Sequence, residues 1–212
     1  MKAATPSEFL DFLDEEFAWR RKELTLLRGL AQSATGLEKN AHLRAGLAML
    51  YAHWEGFVRA SSEGFLEYVG RRRLKHTELC SGLLSLALRA KLAELAASSR
   101  SDSHIEFVDF VRRGMTGRAR LPRTAAPKVG SNLNAQRLKD IVLVLGLDYS
   151  AFELKEQLLD EKLLRWRNEI AHGRLLCPHA DEFDLLYAET TALMRHFKTQ
   201  LEYSVRLQTY RG

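Results

Sequence analysis

The sequence predicts an all-α protein, an antiparallel helical bundle built as a single domain over residues 1–212. Two observations carry this. Apolar residues recur at steps of three and four along most of the chain, the spacing that gathers them on one face of a helix. Between those stretches stand the Ser, Asn, Gly and Pro residues that start and stop helices. No internal repeat, heptad array or low-complexity tract points elsewhere.

The first helix is expected to start at Ser7, a suitable N-cap, with Phe9, Phe12, Leu13, Phe17, Leu24 and Leu27 on its apolar side. Its acidic residues come early and its basic ones later, which complements the helix dipole. Gly29, or the SATG stretch ending at Gly36, stops it. A long second helix covers about residues 38–70, with Leu43, Leu47, Leu50, Trp54, Phe57, Ser61 and Phe65 in one stripe. The third, about residues 77–97, contains LLSLALRAKLAELAA, rich in strong helix formers. DSHIEFVDFVRRG supports a shorter helix.

From Gly114 to Ser131 the periodicity stops, and three glycines, two prolines and four basic residues predict an irregular, exposed basic loop. After it, Ile141, Val142 and Val144 suit a strand. Leu138, Ile141, Val142 and Leu145 nevertheless have helical spacing and Gly146 is a good stop, so helix is predicted. A sixth helix capped by Ser150 spans SAFELKEQLLDEKLLRWRNEIAHG, and a final one covers about residues 179–207.

A chain of 212 residues can bury a core without disulfides or a structural metal. With 46% hydrophobic and 28% charged residues it is not a disordered chain. Cys80 and Cys177 are distant in sequence, which argues for a reducing compartment and against a disulfide framework, leaving room for one bridge. Acidic residues in MKAATPSEFLDFLDEEF interrupt what a signal peptide would need as an apolar core, and no apolar run approaches membrane-spanning length. The expected location is the cytoplasm, with no membrane partner. A net charge of +5 and a pI near 9.3 suit a polyanionic partner.

The segment that carries chemistry is RNEIAHG, residues 167–173, at the end of the sixth helix. Leu159, Leu163, Trp166 and Ile170 form its core stripe. Asn168 and His172, four apart, share a flank of that stripe, whereas Arg167 lies roughly 140° from His172 around the cylinder. One helix by itself does not bring both onto one phosphate; two copies meeting across a dimer axis are expected to. Gly173 and Pro178 place His172 in the last turn of the helix. A histidine beside an arginine suits proton transfer at a phosphodiester. The bare spacing is unspecific: with 22 arginines and 7 histidines about 0.7 matches arise by chance. There are three, Arg71/His76, Arg167/His172 and Arg174/His179, and only the second combines a helical setting, a polar residue after the arginine and a glycine stop.

RNEIAHG resembles the signature of the HEPN superfamily of helical nucleotide-binding domains, and LYAHWEGFVR and SNLNAQRLKDIVLVLGLD resemble its bacterial MAE-type branch. The resemblance implies a HEPN-type bundle and a homodimer whose paired motifs build one composite site for RNA cleavage without a metal or other cofactor. It implies that Arg167 stabilises charge on the scissile phosphate, His172 acts as general acid or base, and Asn168 orients the phosphate or the histidine. Such proteins often act as toxins held by a cognate antitoxin protein, or in phage defence. Where some members carry a tyrosine two residues after the histidine, modified by a partner enzyme, this chain has Arg174. The alternative from another class is a non-catalytic helical module that binds RNA or a protein partner through the same surface.

Other candidates are weaker. Arg71, Arg72 and Arg73, and the loop residues Arg118, Arg120, Arg123 and Lys128, are candidate RNA-phosphate contacts, equally explained by surface solvation. Trp54 and Phe57 are expected in the core rather than as a base-stacking platform. Glu55 is expected to pair with Arg59 at i, i+4, its other role being to orient Arg167. No metal site is expected: His42 and His53 share a face but stand about 16 Å apart. Cys177 and His179 lack a second ligand pair, and no phosphate-cradling glycine loop is present.

Overall fold

The computed structural model describes residues 4–125 and 132–212. Its frame is three long helices: α1 (Pro6–Ser33), α2 (Gly36–Arg71) and α8 (Ala180–Leu207). Only Ala34 and Thr35 join the first two, so they fold back as a hairpin. Phe9 meets Phe65 and Tyr68 while Phe17 meets Phe57, so α1 and α2 run antiparallel. Arg28 pairs with Asp184 and Asp14 with Lys198, so α8 is antiparallel to α1 as well. It follows that α2 and α8 run in the same direction, and the contact of Phe57 with Phe197 and of Phe65 with Tyr210 bears this out.

Between these come α3 (Ser81–Ala97), α4 (Ser101–Asp109), α5 (Ala135–Val144), the single turn α6 (Ser150–Glu153) and α7 (Arg165–Ala171). A 3₁₀ turn covers His76–Glu78, and π-helical turns cover Phe110–Gly114 and Leu158–Leu164. Among the described residues no strand forms, only two isolated bridges, Lys75 with Arg118 and Leu79 with Arg211. The architecture is the predicted all-α bundle.

The local starts and stops differ in instructive ways. Thr5, not Ser7, caps α1: its Oγ1 accepts the Glu8 N–H at 3.2 Å, and the Glu8 carboxylate accepts the Thr5 N–H at 2.9 Å. Pro6 explains the offset, because a ring with preset φ and no N–H belongs at the first helical position. The SATG stretch, not Gly29, ends the helix. The third helix begins at Ser81, later than periodicity suggests. The backbone before it is spent on the basic loop, with the His76 N–H donated to Gly117 O at 3.1 Å and the Thr77 N–H to Met115 O at 3.2 Å.

The sixth predicted helix is not continuous. Ser150 is its first residue rather than its cap, held by Asp148, which accepts from the Ser150 N–H at 3.1 Å and hydroxyl at 2.5 Å. The hydroxyl lowers the Asp148 pKa first, and the N–H adds to it. After α6 the chain turns, then runs through the π segment into α7. The helical choice for residues 135–144 holds: Asn134 caps it by accepting the Arg137 N–H, and Gly146, at φ +73°, stops it.

Gly82 lies where α3 packs tightly against the end of α5. A Cβ there would lie 2.3 Å from the Leu143 carbonyl oxygen and 2.9 Å from that of Val144. Backbone cannot rotate away as a side chain can, so α3 must retreat. Gly82→Ala is expected to lower stability by about 1–3 kcal/mol despite the better helix propensity of alanine. Thermal melting checks this, and a midpoint at or above that of the parent contradicts it.

Trp54 and Phe57 are core residues, as expected, with Phe57 fully buried between Phe17 and Phe197. His53 is buried beside them, its ring edge-on to Trp19 and its Nε2 2.7 Å from Glu23 Oε2. Burial pushes its pKa below the ordinary histidine value, against the pull of Glu23. The unfolded chain therefore takes up a proton near pH 6.5 that the native state still refuses. Stability is expected to be full above that pH and to fall as acid passes through the histidine range. Urea midpoints at pH 7 and pH 5 should differ more for the parent than for His53→Gln; equal differences refute the assignment.

Candidate active site

The motif helix α7 reaches the frame by packing against α2, with Trp166 and Ile170 half-buried on the core as the stripe predicts. The π turn ahead of it inserts a break in the α ladder, which resets the direction in which the following turn presents its side chains. Asp160, inside that turn, accepts the Ala135 N–H at 2.7 Å. That bond ties the start of α5, and with it Asn132 and Leu133, to the motif segment.

Arg167, Asn168 and His172 share one open cleft of about 660 Å³. Its opposite wall is α2, contributing Tyr51, Glu55 and Arg59, while Asn132 closes one side and the alanines 48, 52 and 171 keep the floor low. The angular gap between Arg167 and His172 on their own helix is therefore bridged by a concave surface rather than by a shared face. Sequence reasoning placed these three residues near one another and gave Glu55 a second role of orienting Arg167, but missed the rest of this wall. Tyr51 and Asn132 were not singled out, yet each lies inside one of the two stretches, LYAHWEGFVR and SNLNAQRLKDIVLVLGLD, that accompany the motif.

Arg167 is held on two sides. Its guanidinium carbon lies 3.9 Å from the centre of the Tyr51 ring, and its Nη2 donates to Asn132 Oδ1 at 2.7 Å. Its Nε is buried and has no hydrogen-bond partner among the described residues. The Tyr51 hydroxyl in turn accepts the Leu133 N–H at 2.6 Å. Burial, seconded by Glu55, raises the Tyr51 pKa, so the phenol stays neutral. Glu55 accepts from Arg59 at 2.9 Å, the expected i, i+4 pair.

His172 is the C-cap residue of α7, its N–H donated to Asn168 O at 3.0 Å, and Gly173 follows at φ +76°, in the left-handed region that favours glycine. The ring is exposed and makes no hydrogen bond among the described residues. Arg174, two residues beyond, pairs with Glu169 at 2.8 Å.

The two basic clusters, separate in sequence, meet in space. The Ala119 N–H donates to Leu74 O at 2.8 Å, and Lys75 bridges Arg118, so the loop lies alongside the turn that follows α2. Arg73, Arg118, Arg120 and Arg123 are exposed there. Arg71 is exposed but paired with Glu67 at 2.6 Å; Arg72 is half-buried, stacked on Tyr68 and donating to Ala4 O at 2.6 Å. Lys128 lies outside the described residues. Arg71 and Arg123 line a second cleft of about 720 Å³ with Glu63, Leu66 and Gly70. Residues 48, 52, 55, 59, 63, 66 and 70 follow one another at steps of three and four, so a single stripe of α2 lines both clefts.

Among the described residues no group of three or more His, Cys, Asp or Glu side chains is placed to hold a metal ion, and no helix is long and apolar enough to cross a membrane.

An all-α bundle of this kind is the architecture of a HEPN domain. The chain matches the HEPN_MAE_28990-like HEPN family over residues 9–210 and belongs to it. No curated protein and no solved structure matches it.

Proposed function

We propose that this protein is an endoribonuclease that needs no metal ion and cleaves RNA by attack of a ribose 2′-OH on its own 3′-phosphate. The observation that carries this is the convergence of Arg167, Asn168 and His172 on one open cleft, with the His172 ring uncommitted. HEPN domains are commonly nucleases, which supports the same reading.

The 2′-oxygen forms a bond to phosphorus as the bond to the 5′-oxygen breaks, leaving a cyclic phosphate and a free 5′-OH. Two protons move: one leaves the 2′-OH, and one reaches the departing 5′-oxygen. His172 handles one of them. The His172 of a second copy of the chain handles the other, one ring accepting the 2′-OH proton and one donating to the 5′-oxygen, in a homodimer whose two clefts form a composite site. Arg167 balances the charge that grows on the non-bridging phosphate oxygens, and Asn168 orients the phosphate. In the cell the activity serves a toxin restrained by a cognate antitoxin protein, or a phage-defence system.

The α2 stripe suggests how the rest of the strand lies. From the cleft at Arg59 it leads to the basic cluster at Arg71, Arg73, Arg118, Arg120 and Arg123, about 18 Å along the helix at 1.5 Å per residue. Replacing Arg71 and Arg123 together by Ala is expected to weaken RNA binding similarly across sequences and to flatten its salt dependence by roughly one unit of slope per lost contact. Binding isotherms at several salt concentrations measure it, and an unchanged slope removes the cluster from the substrate path.

The direct test is incubation of the purified full chain with an RNA pool in EDTA, followed by analysis of product ends. Cleavage with cyclic phosphate ends supports the proposal. A folded dimer that binds RNA and cuts none points instead to a binding module.

A further inference from the structure

We propose that Tyr51 and Asn132 are positioning residues that preset the Arg167 guanidinium for the phosphate; this rests on the nuclease reading above. The geometry is a closed circuit across three elements. The Tyr51 ring on α2 supports one face of the guanidinium at 3.9 Å, and Asn132 Oδ1 takes one of its N–H groups at 2.7 Å. The Tyr51 hydroxyl then takes the Leu133 N–H at 2.6 Å, so the residue that carries the ring also fixes the backbone beside Asn132. Asp160 anchors the same segment from the motif side through the Ala135 N–H.

Each contact restricts a different freedom. The ring limits the guanidinium to a plane, and the amide limits rotation within that plane. An arginine side chain free to rotate loses much entropy on meeting a phosphate, and a planar donor fixed beforehand loses less. The Arg167 Nε is buried, with no hydrogen-bond partner among the described residues, which fits a group held by its surroundings rather than by solvent. Tyr51 suits the task chemically: burial keeps the phenol neutral, so it offers a π face and an acceptor without placing an anion against the arginine.

The test uses the full chain with Tyr51→Phe, Tyr51→Leu and Asn132→Ala, each first checked for native melting and oligomeric state. Two readouts are taken. In ¹⁵N spectra the Arg167 Nε–H, assigned by its disappearance in Arg167→Lys, is expected as a resolved, slowly exchanging signal in the parent. It should collapse toward the averaged arginine position in Tyr51→Leu and Asn132→Ala and persist, broadened, in Tyr51→Phe. In cleavage assays kcat should fall roughly ten- to hundredfold in Tyr51→Leu and Asn132→Ala. KM should move by less than about threefold, since the lost contact acts mainly in the transition state. Tyr51→Phe, which keeps the ring, should fall between parent and Tyr51→Leu.

In an Arg167→Ala background, Tyr51→Leu should cost nothing further. An Arg167 signal indifferent to all three substitutions, or a Tyr51→Leu loss undiminished in the Arg167→Ala background, overturns the proposal. A parent that cuts no RNA overturns the nuclease reading instead, and the spectra still decide whether Arg167 is clamped.

Discussion

His172→Ala is expected to reduce RNA cleavage by roughly 10²- to 10⁴-fold while leaving the fold, the oligomeric state and RNA affinity close to the parent's. The ring is exposed at a helix end and makes no hydrogen bond among the described residues, so its loss costs little packing. Arg167→Ala is expected to lose roughly 10²- to 10³-fold through the missing charge stabilisation. It should also lower stability modestly, because the side chain covers the Tyr51 ring. The double variant should be little worse than the poorer single one, as residues serving one transition state are not additive. Single-turnover cleavage, with the protein in excess over the RNA and above the Kd, beside a binding titration, measures all of this. Full activity in His172→Ala removes it from catalysis; lost binding in a folded protein assigns the motif to recognition.

The largest effect on stability is expected at Phe57. Its ring is fully buried where the three long helices meet, edge-on to Phe17 of α1 and Phe197 of α8 at centroid distances of 5.8 and 6.5 Å. Phe57→Ala removes that apolar surface and leaves a cavity that three packed helices cannot close, a loss of about 3–5 kcal/mol. Against a total stability of typically about 5–15 kcal/mol, that is a large share. The melting point should fall by about 10 °C, given 2–4 °C per kcal/mol in a chain of this size. Phe57→Leu, filling part of the space, should lose clearly less. Urea unfolding gives both values, and a loss under about 1 kcal/mol for Phe57→Ala places the centre of the core elsewhere.

Much of the fold was legible because helices are local. The stripe from Leu43 to Phe65 gave α2 nearly its observed length, and Leu138 to Leu145 with Gly146 decided helix over strand where β-branched residues pointed the other way. The errors fell where tertiary contacts compete with local ones. Residues 77–80 have helical periodicity, but their neighbours' backbone groups bond to the 115–119 segment, so the helix waits until Ser81. The spacing of Leu159, Leu163, Trp166 and Ile170 reads as unbroken α-helix. That the chain takes a π turn there, with Asp160 bonded to the start of α5, depends on a partner 25 residues away.

The candidate site divides along the same line. The sequence alone determined that Arg167, Asn168 and His172 sit at a helix end before a glycine, because spacing and a stop residue are properties of a continuous stretch of chain. It also determined that Trp54 and Phe57 are core and that Glu55 pairs with Arg59, one helical turn apart. Only the tertiary structure decided that the motif faces Tyr51 and Asn132, and that two basic clusters nearly fifty residues apart lie side by side. Helix periodicity records which face a segment buries, but not which other segment covers it. That choice is made by the packing of the whole bundle, where the partners of Arg167 come from residues 116 and 35 positions earlier in the chain.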